Sequence, residues 1–195
     1  MMRYKHMLIF MVLAFAKAEF TKAQSTEKIE KEEKITLDLI PKSMEKAVVE
    51  IGYARKKVRY YRETDGEKVS YEAKLRYRGK KYSIEFNENG ILEDVEIDTH
   101  KRKISKEALL NIESVLDTMA RKYLIEKIQE QYLAKHKTTT QIKENISNNK
   151  IDNYELIVAF KDKRTIYRKE MLFDKKGNLI SLRDVKRLEY DFLLF

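Results

Sequence analysis

Two stretches of this chain follow one pattern. Residues 71–97 read YEAKLRYRGKKYSIEFNENGILEDVEI, and residues 154–185 read YELIVAFKDKRTIYRKEMLFDKKGNLISLRDV. Each opens on Tyr-Glu, alternates apolar with polar residues, turns, and runs to Phe-x-x-x-Gly-x-Leu: Phe86, Gly90 and Leu92, then Phe173, Gly177 and Leu179. Self-similarity of this kind marks one folding unit used twice. Period-two alternation rich in Tyr, Ile and Val marks half-buried antiparallel strands. Asn87-Glu88-Asn89-Gly90 and Asp174-Lys175-Lys176-Gly177 fit turns opened by Asn or Asp and closed by glycine.

A helical pattern precedes each set of strands. Pro41 stands where a helix can start, and Met44, Ala47, Val48 and Ile51 follow at i, i+3, i+4, i+7, with Gly52 placed to end the run. Ser105 is a good N-cap ahead of Leu109, Ile112, Leu116, Met119 and Tyr123. Strands are expected at 58–63, 69–77, 82–86 and 91–97, then at 125–133, 154–160, 165–173 and after Gly177. A polar loop is expected from His136 to Asp152. The fold class is therefore α+β, with two tandem units, 38–98 and 104–187, each a helix packed on a four-stranded antiparallel sheet. The apolar faces to be covered are Met44, Val48 and Ile51 in the first and Leu109, Ile112 and Leu116 in the second.

The N-terminus lies outside that pattern. Arg3, Lys5 and His6 precede the ten-residue apolar run Met7–Ala16, and Thr21-Lys22-Ala23 supplies small residues at cleavage positions. Residues 1–23 read as a signal peptide cut before Gln24, with Ala16 and Ala18 as further candidate sites. Ten apolar residues fall short of the roughly 20 that span a bilayer, so no membrane span is expected after cleavage. Residues 24–37 read as a flexible, charged leader. Cysteine is absent, which excludes a lipid on an N-terminal Cys and any disulfide. That suits a periplasmic or secreted bacterial protein better than a disulfide-dense secretome.

The full chain carries a formal charge of +9. Lys and Arg alternate with Glu and Asp instead of forming blocks, so a solvated surface is favoured over a nucleic-acid footprint. His6, His100 and His136 have no metal spacing and sit in the signal and in charged linkers, so no catalytic residue, no cofactor and no metal site is expected. The DKKG turn sets one carboxylate beside two lysines and reads as a hairpin rather than a calcium loop. The protein reads as non-enzymatic.

The arrangement of a helix, then Tyr-x-apolar strands, a short turn and apolar-x-Phe-(Asn/Asp)-x-x-Gly-x-Leu, resembles the PepSY-like family. In particular it is similar to its exported tandem type described as beta-lactamase-inhibitor-like. The residues that carry the resemblance are Tyr71, Phe86, Asn87, Gly90 and Leu92, with Tyr154, Phe173, Asp174, Gly177 and Leu179, within residues 38–187. The resemblance implies helices on one sheet face, an open second face, and binding or inhibition of other proteins. It carries over no binding residue.

Strand alternation places Arg59, Tyr61, Glu72, Lys74, Arg76, Ser83 and Glu85 on the second face. A Tyr/Arg mixture suits a partner surface and also suits an ordinary solvated sheet. Arg59, Tyr61, Lys74 and Arg76 are the partner-binding candidates, for a protein or peptide of the cell envelope. Anionic envelope material is the alternative, from the net charge. The apolar end Tyr190–Phe195, within residues 188–195, reads either as tucked into the core or as a partner-facing patch.

Overall fold

The computed structural model describes residues 27–28, 30–53 and 57–185. The expected signal peptide and the apolar C-terminal segment lie outside them. Nine antiparallel strands form one sheet: β2 (Glu30–Ile35), β3 (Arg59–Asp65), β4 (Lys68–Tyr77), β5 (Lys80–Asn87), β6 (Leu92–Asp98), β7 (Tyr123–Leu133), β8 (Asn153–Asp162), β9 (Thr165–Asp174) and β10 (Leu179–Val185). A two-residue strand, β1 (Glu27–Lys28), adds to β10 in parallel. The spatial order is β1-β10-β9-β8-β7-β6-β5-β4-β3-β2. The expected division into two four-stranded sheets is not seen, because β6 and β7 pair through Asp94↔Leu133 to Asp98↔Gln129.

Three helices and both apolar clusters lie on one face. Helix α1 (Lys42–Val48) and the wide turn Val49–Tyr53 that follows bury Met44, Ala47, Val48 and Ile51 against Tyr60, Ala73, Leu75, Ile84, Phe86 and Val95. Gly52 ends this run at φ 112. Helix α2 (Lys106–Met119) is capped by Ser105, whose Oγ accepts the Ala108 N–H at 3.2 Å. It buries Ala108, Ile112 and Leu116 against Leu156, Val158, Phe160, Met171 and Phe173, with Leu109 only partly buried.

The expected loop and part of the expected leader form regular elements. The polar stretch 136–152 contains helix α3 (Thr139–Ser147), held by a capping box between Thr138 and Gln141. Ile142 of α3 is fully buried in the α1 cluster. The supposed leader forms β1 and β2, whose charged side chains are exposed along Lys31–Lys34. Backbone pairing from Glu30↔Asp65 to Ile35↔Tyr60 holds it, and the hydrogen bonds of a ladder do not depend on side-chain hydropathy.

The strand order bends the sheet. Strand β1 pairs with β10 and β2 pairs with β3, yet Lys28 and Glu30 are two residues apart. Two residues span at most about 7 Å, and paired strands lie about 4.8 Å apart, so β3 and β10 come within about 17 Å. In a flat sheet, seven strand spacings would hold them about 34 Å apart. The sheet therefore curls until its edges meet along residues 27–35. Three helices cannot sit inside such a curl, since nine strands leave room only for side chains. They coat the outside, and the opposite, polar face turns inward.

Candidate functional site: the inner face of the curled sheet

The inner face is buried although no helix covers it among the described residues. Tyr61 is 6% exposed, Glu72 5%, Ser83 6%, Asp94 8%, Glu96 4% and Gln129 3%. Sequence reasoning placed Tyr61 and Glu72 on a solvent-facing surface. The correction has a physical cause: alternation assigns the face, but only the curl decides whether that face meets water.

Of the four partner-binding candidates, Arg59 and Arg76 are exposed and Tyr61 is buried. Lys74 is half-buried. The ladder Arg59↔Lys74 and Tyr61↔Glu72 brings Arg59, Tyr61 and Lys74 together, with Arg76 two residues along the same face. Lys74 Nζ lies 4.9 Å from the Tyr61 ring centroid, 2.8 Å from Glu72 and 2.9 Å from Glu32. Burial pushes the Glu72 carboxyl up, but Lys74 and the hydrogen bond donated by the Ser83 hydroxyl outweigh it and leave Glu72 below the usual range. Burial acts on Lys74 in the opposite sense to its two carboxylates, which prevail and raise it. Lys74 is thus engaged by two carboxylates, and Tyr61 is buried beside it.

The centre of the face is acidic. Register places Glu72 beside Glu85 and Glu85 beside Asp94, with Ser83 beside Glu96 and Glu96 beside Gln131. Burial first, then Glu155 and Glu93, push the Asp94 carboxyl up to about 7. Burial with Glu155 and Asp94 drives Glu96 well above the ordinary range, and burial with Glu96 and Asp94 does the same to Glu85. Asp94 Oδ2 accepts Gln131 Nε2 at 3.2 Å, and Gln131 Oε1 accepts Asn153 Nδ2 at 2.8 Å. The alternation ILEDVEI carried a signal for this cluster: Asp94 and Glu96 share a face, and a hairpin turning at Asn87–Gly90 sets them opposite Glu85.

A groove opens on the outside near the first residues of β3. It is lined by Ile35, Leu37, Val48, Val49, Val58 and Tyr60, with Lys34, Lys57, Arg59 and Glu45 around it. Leu37 is 51% exposed and Val49 48%. His100 and His136 are exposed and bear on neither site. The DKKG turn uses its carboxylate internally: Asp174 Oδ1 accepts the N–H groups of Lys176 and Asn178.

No family model matches the chain, and no curated protein is similar to it at a significant level. Solved structures are similar in fold. A DUF2874 family protein from Bacteroides ovatus is 12% identical over 79% of this chain and 94% of its own, with a TM-score of 0.51. A protein from Bacteroides eggerthii, described as periplasmic, is 10% identical over 78% of this chain and 94% of its own, with a TM-score of 0.52. A third, from Bacteroides fragilis and described as BLIP-like, is 13% identical over 77% and 91%, with a TM-score of 0.48. Among the described residues no helix is long and apolar enough to cross a membrane. For the first two structures, at such identities, the likeness is one of fold alone: an α+β chain built on an antiparallel sheet with its helices.

Proposed function

We propose that this chain is an exported, non-enzymatic module of the PepSY-like, beta-lactamase-inhibitor-like type that binds a protein or peptide of the cell envelope. The tandem layout of helix then four strands, twice, belongs to this reading, as does the signal peptide over residues 1–23. The observation that carries the binding role is the outer groove. Leu37 and Val49 stand half-exposed there, next to Lys34, Lys57 and Arg59 and the single acid Glu45. An apolar floor with a cationic rim suits an extended peptide that carries an acidic side chain, because contact area gives affinity and charge gives orientation. Arg59 is the one sequence candidate in the groove.

The test is capture from envelope extract with the mature protein, wild type beside a Val49→Ser/Arg59→Ala variant. Exposed positions of this kind change stability by about 0.5 kcal/mol or less, so both proteins should unfold alike. A bound partner should lose roughly 2 kcal/mol or more. An unchanged set of captured proteins contradicts the groove as the docking site. The three cations on the rim also favour a second reading, binding of anionic envelope material. It predicts retention on anionic vesicles that fades with salt, a behaviour an apolar peptide groove would not share.

A further inference from the structure

Two groups of three carboxylates converge on the inner face, each with oxygens within 4.8 Å of one another: Glu32, Glu63 and Glu72, and Glu85, Asp94 and Glu96. They differ in what offsets their charge. The first holds the Lys74 ammonium, bonded to Glu32 and Glu72. In the second, the strongest charges acting on Glu85 are four further carboxylates: Glu96, Asp94, Glu72 and Glu63. Lys127 acts on Glu96 from β7, and Glu155 and Glu93 act on Asp94.

A second observation is independent of the acid count. Asp94 is 8% exposed, and its Oδ1 has no hydrogen-bond partner among the described residues. The same holds for Gln129 Oε1 at 3% exposure, on the same face two residues from Gln131, the cross-strand neighbour of Glu96. Buried oxygens without a donor are costly and rare in native proteins. Here they belong to a converging trio or stand beside it.

We propose that Glu85, Asp94 and Glu96 form a binding site for one hard divalent cation of the calcium type. The donor set is oxygen alone, which selects calcium-like ions over zinc or copper. Oxygens that all lie within 4.8 Å of one another are close enough for one ion with calcium–oxygen bonds of about 2.3–2.6 Å to touch all three. Three carboxylates on adjacent strands of a rigid sheet are held in place before the ion arrives. Gln129 Oε1, two residues from the cross-strand neighbour of Glu96, is a buried neutral oxygen on the same face. The site stands apart from the outer groove, so either can fail without the other.

The experiment is calorimetric titration of EDTA-treated mature protein with calcium chloride, and separately with magnesium chloride, at pH 7. The expected result is one saturable site that prefers calcium over magnesium. Glu96→Gln and Asp94→Asn should each weaken binding by about 10-fold or more. Glu88→Gln, in the exposed turn after β5, should leave it unchanged. Absence of saturable binding by the wild type at millimolar calcium overturns the site. So does equal affinity in Glu96→Gln.

Discussion

Gly177 and Gly90 recur at the same place in the two sequence repeats, and the structure gives each a steric reason. Gly177 has φ +86, and a Cβ there would lie 2.3 Å from the Ala108 carbonyl oxygen in the first turn of α2. Gly90 has φ +69, and its Cβ would meet Pro41 at 2.5 Å and Ser43 at 2.6 Å, where α1 begins. In both, a turn of the sheet presses its backbone against the start of a helix. Gly66, with φ +62, has nothing within 4 Å. Gly177→Ala should therefore cost about 2 kcal/mol or more, from left-handed strain plus the clash, while Gly66→Ala should cost about 1 kcal/mol from strain alone. Urea unfolding of the two variants separates the contributions, and equal losses would contradict the close approach to α2.

The elements were legible where periodicity was strong. The stripe Met44–Ile51 and the run through Ile112 and Leu116 predicted which helix faces are buried, and alternation placed β4 to β6 and β8 to β9 within a residue or two. Helix α3 was missed because TTTQIKENISNNK carries few apolar residues; one of them, Ile142, reaches the core. Its signal was the capping box, Thr138 with Gln141 three residues on. Strand β2 was missed because EKEEKI has no apolar face, so neither hydropathy nor propensity marks it. The candidate site suffered in the same way: alternation gave the face of Tyr61, Glu72 and Glu85, but burial of that face depends on where β1 and β2 pair. Ile142→Ala tests the element that sequence reasoning left out. Emptying a fully buried position should cost about 3 kcal/mol and lower the melting temperature of the whole chain, because α3 shares the α1 cluster. A loss under about 0.5 kcal/mol would mean that α3 does not anchor there.

At the scale of the molecule, everything proposed for the inner face rests on the curl of the sheet. The curl takes a polar face that a flat sheet would give to water and buries Tyr61, Asp94, Glu96 and Gln129. It turns ordinary surface carboxylates into groups whose charge must be offset. It also leaves the exposed candidates, Arg59 and Arg76, outside the buried centre. The absence of native cysteine makes the curl directly measurable. Spin labels on Asp65→Cys at the end of β3 and Val185→Cys at the end of β10 report the distance between the two strands that residues 27–35 join. The closed sheet predicts a backbone separation of about 17 Å or less, from two strand spacings and two residues of chain. A distance near the 34 Å or so of a flat sheet would contradict closure, and with it the burial of the inner carboxylates.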